Sequence, residues 1–173
     1  YALFWFDYAA GYETVFTELG WNLSTSQQIG LCRGAAKVHG KNWGTIITWK
    51  SAEPPLFKSG SEMLHDCITS YEAGAKYIII FNYPKNPEDN PYGILAQDHF
   101  DAMKQFWEYM TVHPEDYGKT TGEAALVLPK DYGWCMRKPD DKIWGLWPSD
   151  ELSETIWNHT QQLIEKYGLH LDI

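Results

Sequence analysis

Lys76–Pro84, KYIIIFNYP, holds the longest unbroken run of β-branched and aromatic residues in the chain. A run that does not alternate is expected to be buried on both faces, as in a parallel sheet covered by helices on each side. A short buried helical segment is the competing reading. The brevity of the run, its isoleucines, and the flanking Gly74 and Pro84 favour a strand. Asn82, Tyr83, Lys85, Glu88, Asp89 and Asn90 crowd together past its carboxyl end. Ligands of parallel α/β sheets sit at that end, so polar chemistry is expected there.

Upstream, the spacing of Met63, Leu64, Cys67, Ile68 and Tyr71 predicts a helix capped by Ser59 or Ser61 and stopped by Gly74. The loop before it, SAEPPLFKSG, carries two prolines that forbid regular structure. Before the loop, Trp43–Lys50, WGTIITWK, reads as a second strand closing on Trp49 and Lys50. An earlier helix starts at Ser24, Thr25 or Ser26 and runs to about Val38, with Gly40 ending it. Tyr1–Tyr8, YALFWFDY, reads as a first buried strand ending in Asp7. The long loop after it, AAGYETVFTELGWN, carries Glu13, Glu18 and Trp21, and long loops after strands are often functional.

Downstream, a polar loop from Asn82 to Gly93 leads to a helix over Gln97–Thr111. Three strand-loop-helix units of similar length thus succeed one another, the signature of a right-handed βαβ series. His113–Thr121, HPEDYGKTT, breaks the apolar period and marks a boundary between residues 1–118 and 119–173. Beyond it come a strand at Glu123–Pro129, a loop rich in Gly, Trp and charge, a helix that starts after Ser149 and ends at Tyr167-Gly168, and a strand at Leu169–Ile173. The chain starts and stops inside predicted strands, which reads as a piece of a longer protein and leaves its compartment open.

Composition narrows the partners. A formal net charge of −9 over 173 residues, with no Lys or Arg cluster longer than a pair, argues against nucleic acid and anionic membrane surfaces. No stretch approaches the roughly 20 apolar residues of a membrane span. Cys32, Cys67 and Cys135 lie far apart without CxxC spacing, and the six His show no HExxH or HxxEH spacing, so no metal site is expected. No GxGxxG, GxxxxGK[ST] or GxSxG is present, so no nucleotide cofactor or hydrolase elbow is expected either. Aromatics make up 16% of the chain, with nine Trp and eleven Tyr. Core packing takes most of these; an excess beyond core needs suits ring stacking on a sugar.

The three units, their aromatic strand ends and the change to a new αβ segment resemble the last part of a (β/α)8-barrel glycoside hydrolase of the β-galactosidase-like type, followed by a flavodoxin-like domain. The resemblance implies an α/β fold: three βα units of a TIM-barrel-like parallel sheet over 1–118, then the start of a flavodoxin-like domain over 119–173. It implies a carbohydrate partner and no cofactor. Retaining members carry an acid/base Glu on the fourth strand and a nucleophilic Glu on the seventh; here Trp49 and Lys50 stand at the second visible strand end, and Glu53 lies in the loop beyond.

Glycoside hydrolysis needs two carboxylates, about 5 to 5.5 Å apart for retention or 6.5 to 9.5 Å for inversion. Asp7, Glu13 and Glu18 are the candidates here, a solvated surface charge being the alternative for each loop carboxylate. Trp49 and Tyr83 are candidates for a stacking platform, with Asn82 and Lys50 donating to hydroxyls. A non-catalytic sugar-binding or structural relative is the second reading, and a small open sheet of flavodoxin type the third. An open sheet edge would offer a route to a homo-oligomer.

Overall fold

A computed structural model of the protein describes residues 3–53, 56–82 and 95–173. In chain order the elements are α1 (Phe4–Ala9), β1 (Thr14–Leu19), α2 (Thr25–His39), β2 (Asn42–Ile47), α3 (Gly60–Glu72), β3 (Tyr77–Ile80), α4 (Gln97–Val112), β4 (Ala124–Ala125), α5 (Glu151–Tyr167) and β5 (Leu171–Asp172). This is a mixed α/β chain with a small parallel sheet. Strands β1, β2 and β3 form it in that order. Gly44 of β2 faces Tyr77 of β3, and Ile47 faces Ile80, in parallel register. Asn42 N–H donates to Glu13 O and Thr48 N–H to Leu19 O, the same offset at both ends, as parallel strands keep. Among the described residues no helix is long and apolar enough to cross a membrane.

The chain divides into two compact units: Glu18–Leu23 with Gly44–Thr120, and Tyr1–Thr17 with Ser24–Trp43 and Thr121–Ile173. In the first of these, Ile47, Met63, Cys67 and Ala102 form the buried core, with Leu64, Ile78, Ile80 and Phe106 packed against it. Burying each large side chain contributes about 1.5–3 kcal/mol. Helix α3 begins as expected: Ser59 Oγ accepts the Glu62 N–H while the Glu62 carboxylate accepts the Ser59 N–H, a reciprocal cap. Behind it, Gly118 N–H and Thr120 N–H donate to Tyr71 O and Glu72 O, and the Lys119 ammonium pairs with Glu72 and Asp116 at 2.9 Å.

One expectation for the central strand is not met. β3 alternates: Ile78 and Ile80 are half-buried, whereas Tyr77, Ile79 and the following Phe81 are exposed. The physical reason is that the Ile78/Ile80 face is the one packed against the core residues of α3 and α4. An unbroken apolar run does not say which of its faces is covered.

In the second unit the expected strand at Tyr1–Tyr8 is corrected. Residues Phe4–Ala9 are helical, and the strand lies later, at Thr14–Leu19, inside the segment expected as a loop. Phe4 and Tyr8 are both buried, one helical turn apart, and α1 packs on α2; the Tyr8 hydroxyl donates to Asn42 O at 2.6 Å. Helix α2 runs from the Ser24 cap to Gly40, which takes the left-handed conformation at φ 61°. Gln27 through Ala36 are all buried, so this helix is enclosed rather than one-sided. A Cβ on Gly34 would lie 2.4 Å from Ile173 O, so glycine there lets the chain after β5 lie against the helix. Buried Arg33 is satisfied by Asp172 Oδ1 and Leu169 O, both at 2.6 Å. β4 and β5 pair in parallel, Ala124 with Leu171 and Ala125 with Asp172. Both strands are shorter than the Glu123–Pro129 and Leu169–Ile173 runs suggested, because Gly168–His170 forms a 3-10 turn and only two residues of each pair.

Candidate functional site

The carboxyl ends of the parallel strands carry a polar and aromatic arrangement in the unit formed by Glu18–Leu23 and Gly44–Thr120. β1 closes on Glu18 and Leu19. A Cβ on the next residue, Gly20, would lie 2.3 Å from Trp49 O, so glycine lets the chain pass tightly over the end of β2. Trp21 and Asn22 then adopt the left-handed conformation, both at φ 56°, which costs non-glycine residues of order 1–3 kcal/mol and is kept only where the surroundings enforce it. Their backbone N–H groups donate to Trp49 O (2.9 Å) and Lys50 O (2.8 Å), which is that enforcement. The result holds Trp21 in place: its indole N–H donates to Glu18 Oε2 at 2.8 Å, and its ring meets Trp49 edge-on at 5.7 Å.

Below this surface is a buried polar floor. Lys58 N–H donates to Asn82 Oδ1 (3.1 Å) and Asn82 Nδ2 donates to Lys58 O (3.0 Å), so both ends of the amide clamp one residue of the loop. His99 Nδ1 accepts the Ala96 N–H at the start of α4, which leaves the proton on Nε2; that N–H donates to Lys58 O at 2.8 Å. The approach of Asn82 Nδ2 to His99 Nε2 at 3.2 Å is then a contact between two donors. The Lys58 ammonium pairs with Asp66 and donates to Leu19 O at 2.8 Å, its side chain 10% exposed and that of Asp66 8%. An open cleft of about 300 Å³ lies here, lined by Lys58, Ser61, Glu62, His65 and Asp66.

Lys50 pairs with Glu62, both about two-fifths exposed. The Lys50 ammonium, and then the Ser59 backbone N–H, hold the Glu62 carboxyl well below the usual carboxylate range, at about 2. Glu62 is therefore a fixed anion and not a proton donor near neutral pH.

The structure brings Glu18, Trp49 and Lys50 into one unit, together with Asn82. Asn82 is fully buried and its amide is engaged by Lys58. Glu53 is exposed in the loop after β2, and Tyr83 lies outside the described residues, as do Lys85, Glu88, Asp89 and Asn90. Asp7 and Glu13 belong to the other unit. Asp7 sits in the first turn of α1, not at a strand end, and burial pushes its carboxyl up. Glu13 is largely exposed ahead of β1 and pairs with Lys41. Trp21 lay in the loop marked as functional without a role of its own, and Lys58, Asp66 and His99 were not among the expected site residues. The cap at Ser59 was a signal for Lys58, which directly precedes it; the Lys58–Asp66 pairing leaves no local signal.

Comparison of the chain with protein-family models, curated proteins and solved structures finds no match in any of the three.

Proposed function

We propose that the chain binds carbohydrate at the carboxyl ends of its parallel strands, as part of a barrel-type protein that handles an oligo- or polysaccharide. The observation that carries this reading is the Trp21 indole, 36% exposed, with its N–H engaged by Glu18 and its ring against Trp49. An indole held this way offers a rigid apolar face of the kind on which the C–H face of a sugar ring stacks, and the adjacent carboxylate accepts hydroxyl hydrogen bonds. Lys50 supplies a donor on the residue following Trp49.

The reading has a hydrolytic and a non-catalytic form. In the hydrolytic form Glu18 is one of two carboxylates flanking the scissile bond. The Lys50–Glu62 ion pair favours the non-catalytic form, because at the end of β2 it sets a paired cation and anion where the family this chain resembles carries a nucleophile. Titration of the protein with neutral oligosaccharides, read by tryptophan fluorescence, tests the reading. A saturable change that Trp21→Ala weakens at least tenfold supports it; no sugar-dependent change in the parent overturns it. A chromogenic glycoside panel then separates the forms. Hydrolysis lost in Glu18→Gln with binding retained assigns the hydrolytic form; binding without hydrolysis in the parent assigns the other.

A further inference from the structure

We infer that the cleft lined by Lys58, Ser61, Glu62, His65 and Asp66 is a second, hydroxyl-recognising subsite, and that the ligand is a neutral oligosaccharide of at least two rings. The inference rests on the carbohydrate reading above and adds the ligand's length and charge. The cleft volume, about 300 Å³, lies at the lower end of the roughly 300–1,000 Å³ range of small-molecule sites, suited to a single ring.

Each of its lining residues carries a polar or charged group, and two of them, Lys58 and Asp66, are held in place. Lys58 and Asp66 are held by burial, by each other and, for Lys58, by Leu19 O. Of the three ammonium protons of Lys58, two go to Asp66 and Leu19, and Asp66 bonds through Oδ2; among the described residues this leaves one donor and one carboxylate oxygen facing no protein partner. Ser61 and His65, both exposed on the first turns of α3, add a hydroxyl and an imidazole. Adjacent donors and acceptors of this kind match the paired hydroxyls of a sugar, each of which donates one bond and accepts others.

Charge selects against acidic sugars. Both carboxylates that line the cleft are already matched by an ammonium, Glu62 by Lys50 and Asp66 by Lys58, so the cleft holds no surplus cation to receive a uronic acid. The depressed carboxyl of Glu62 keeps its pair with Lys50 ionised at neutral pH. The cleft is joined to the aromatic surface at two points. Lys58 bonds the carbonyl of Leu19, the neighbour of Glu18, and Glu62 pairs with Lys50, the neighbour of Trp49.

The test uses the whole 173-residue chain with neutral gluco- and galacto-oligosaccharides of one to four rings, and with the corresponding uronic-acid oligomers, by isothermal titration calorimetry. Affinity for the neutral series is expected to rise at least tenfold from one ring to two or three, and the uronic oligomers to bind at least tenfold more weakly. The surface substitutions Ser61→Ala and His65→Ala are each expected to weaken the longer sugars about three- to tenfold, and more than they weaken the monosaccharide, and neither removes a core contact. Sugars that bind, and lose affinity in Trp21→Ala, yet show the same affinity at every length and in the Ser61→Ala/His65→Ala double variant would overturn the subsite while leaving the carbohydrate reading standing. Equal binding of uronic and neutral oligomers overturns the assigned charge preference. Failure of every sugar to bind the parent chain overturns both.

Discussion

Lys50–Glu62 and Lys58–Asp66 are the same chemistry placed in two regions of one loop-and-helix segment, and they do opposite work. The first pair lies about two-fifths exposed beside the aromatic surface; the second is nine-tenths buried in the floor beneath it. Water screens the first, so it contributes little to stability and its groups remain able to meet a ligand. The second is mostly shielded from water, meeting it only where it lines the cleft, and its worth depends on both partners being present. The surface of the site is thus open to change, and the floor is not.

Four measurements would break or sharpen that contrast. Asp66→Ala strands the Lys58 ammonium in the interior and is expected to cost about 3–5 kcal/mol in urea unfolding; a loss under about 1 kcal/mol, within the range of a surface pair, would show the floor to be as replaceable as the surface. Asn82→Leu leaves the N–H and one acceptor site of the Lys58 C=O without their partner, and a loss of about 2 kcal/mol is expected by the same measurement. Lys50→Met is expected to cost no more than about 1 kcal/mol, so a loss matching Asp66→Ala would erase the distinction. The smallest effect is in pH. Because the folded Glu62 carboxyl is depressed to about 2, its contribution is present above the unfolded value near 4.3 and is lost as pH falls from there toward 2. Melting temperatures of the parent should therefore converge on those of Lys50→Met over that window, by a small amount because both groups are exposed.

The elements framing this site were legible where local chemistry decides them. The helices at Thr25–His39, Gly60–Glu72, Gln97–Val112 and Glu151–Tyr167 announce themselves by apolar period and by the caps at Ser24, Ser59 and Asp150. β2 and β3 follow from their isoleucines. The start of the chain was misread because its dense aromatics hide the four-residue spacing of Phe4 and Tyr8. Strand β1 escaped notice because one of the two side chains it buries, Thr17, is polar, its burial explained by a hydrogen bond to Gln28 on another element (3.2 Å). The same holds at the site. Trp49, Lys50 and Glu18 were readable from their places near strand ends or in a long loop. Lys58, Asp66 and His99 acquire their roles only through contacts that no sequence window spans.

The amide clamp of Asn82 on Lys58 has a consequence for exchange with solvent deuterium. Lys58 lies in a loop, where amide protons are ordinarily replaced through small local openings. Its N–H instead points into a fully buried side chain, on a residue also held through its carbonyl and its ammonium. Its proton should persist on the timescale of the Ile46 and Ile47 amides in β2, while those of exposed Ala52 and Glu53 are lost early. A loop residue would then report the opening of the core itself.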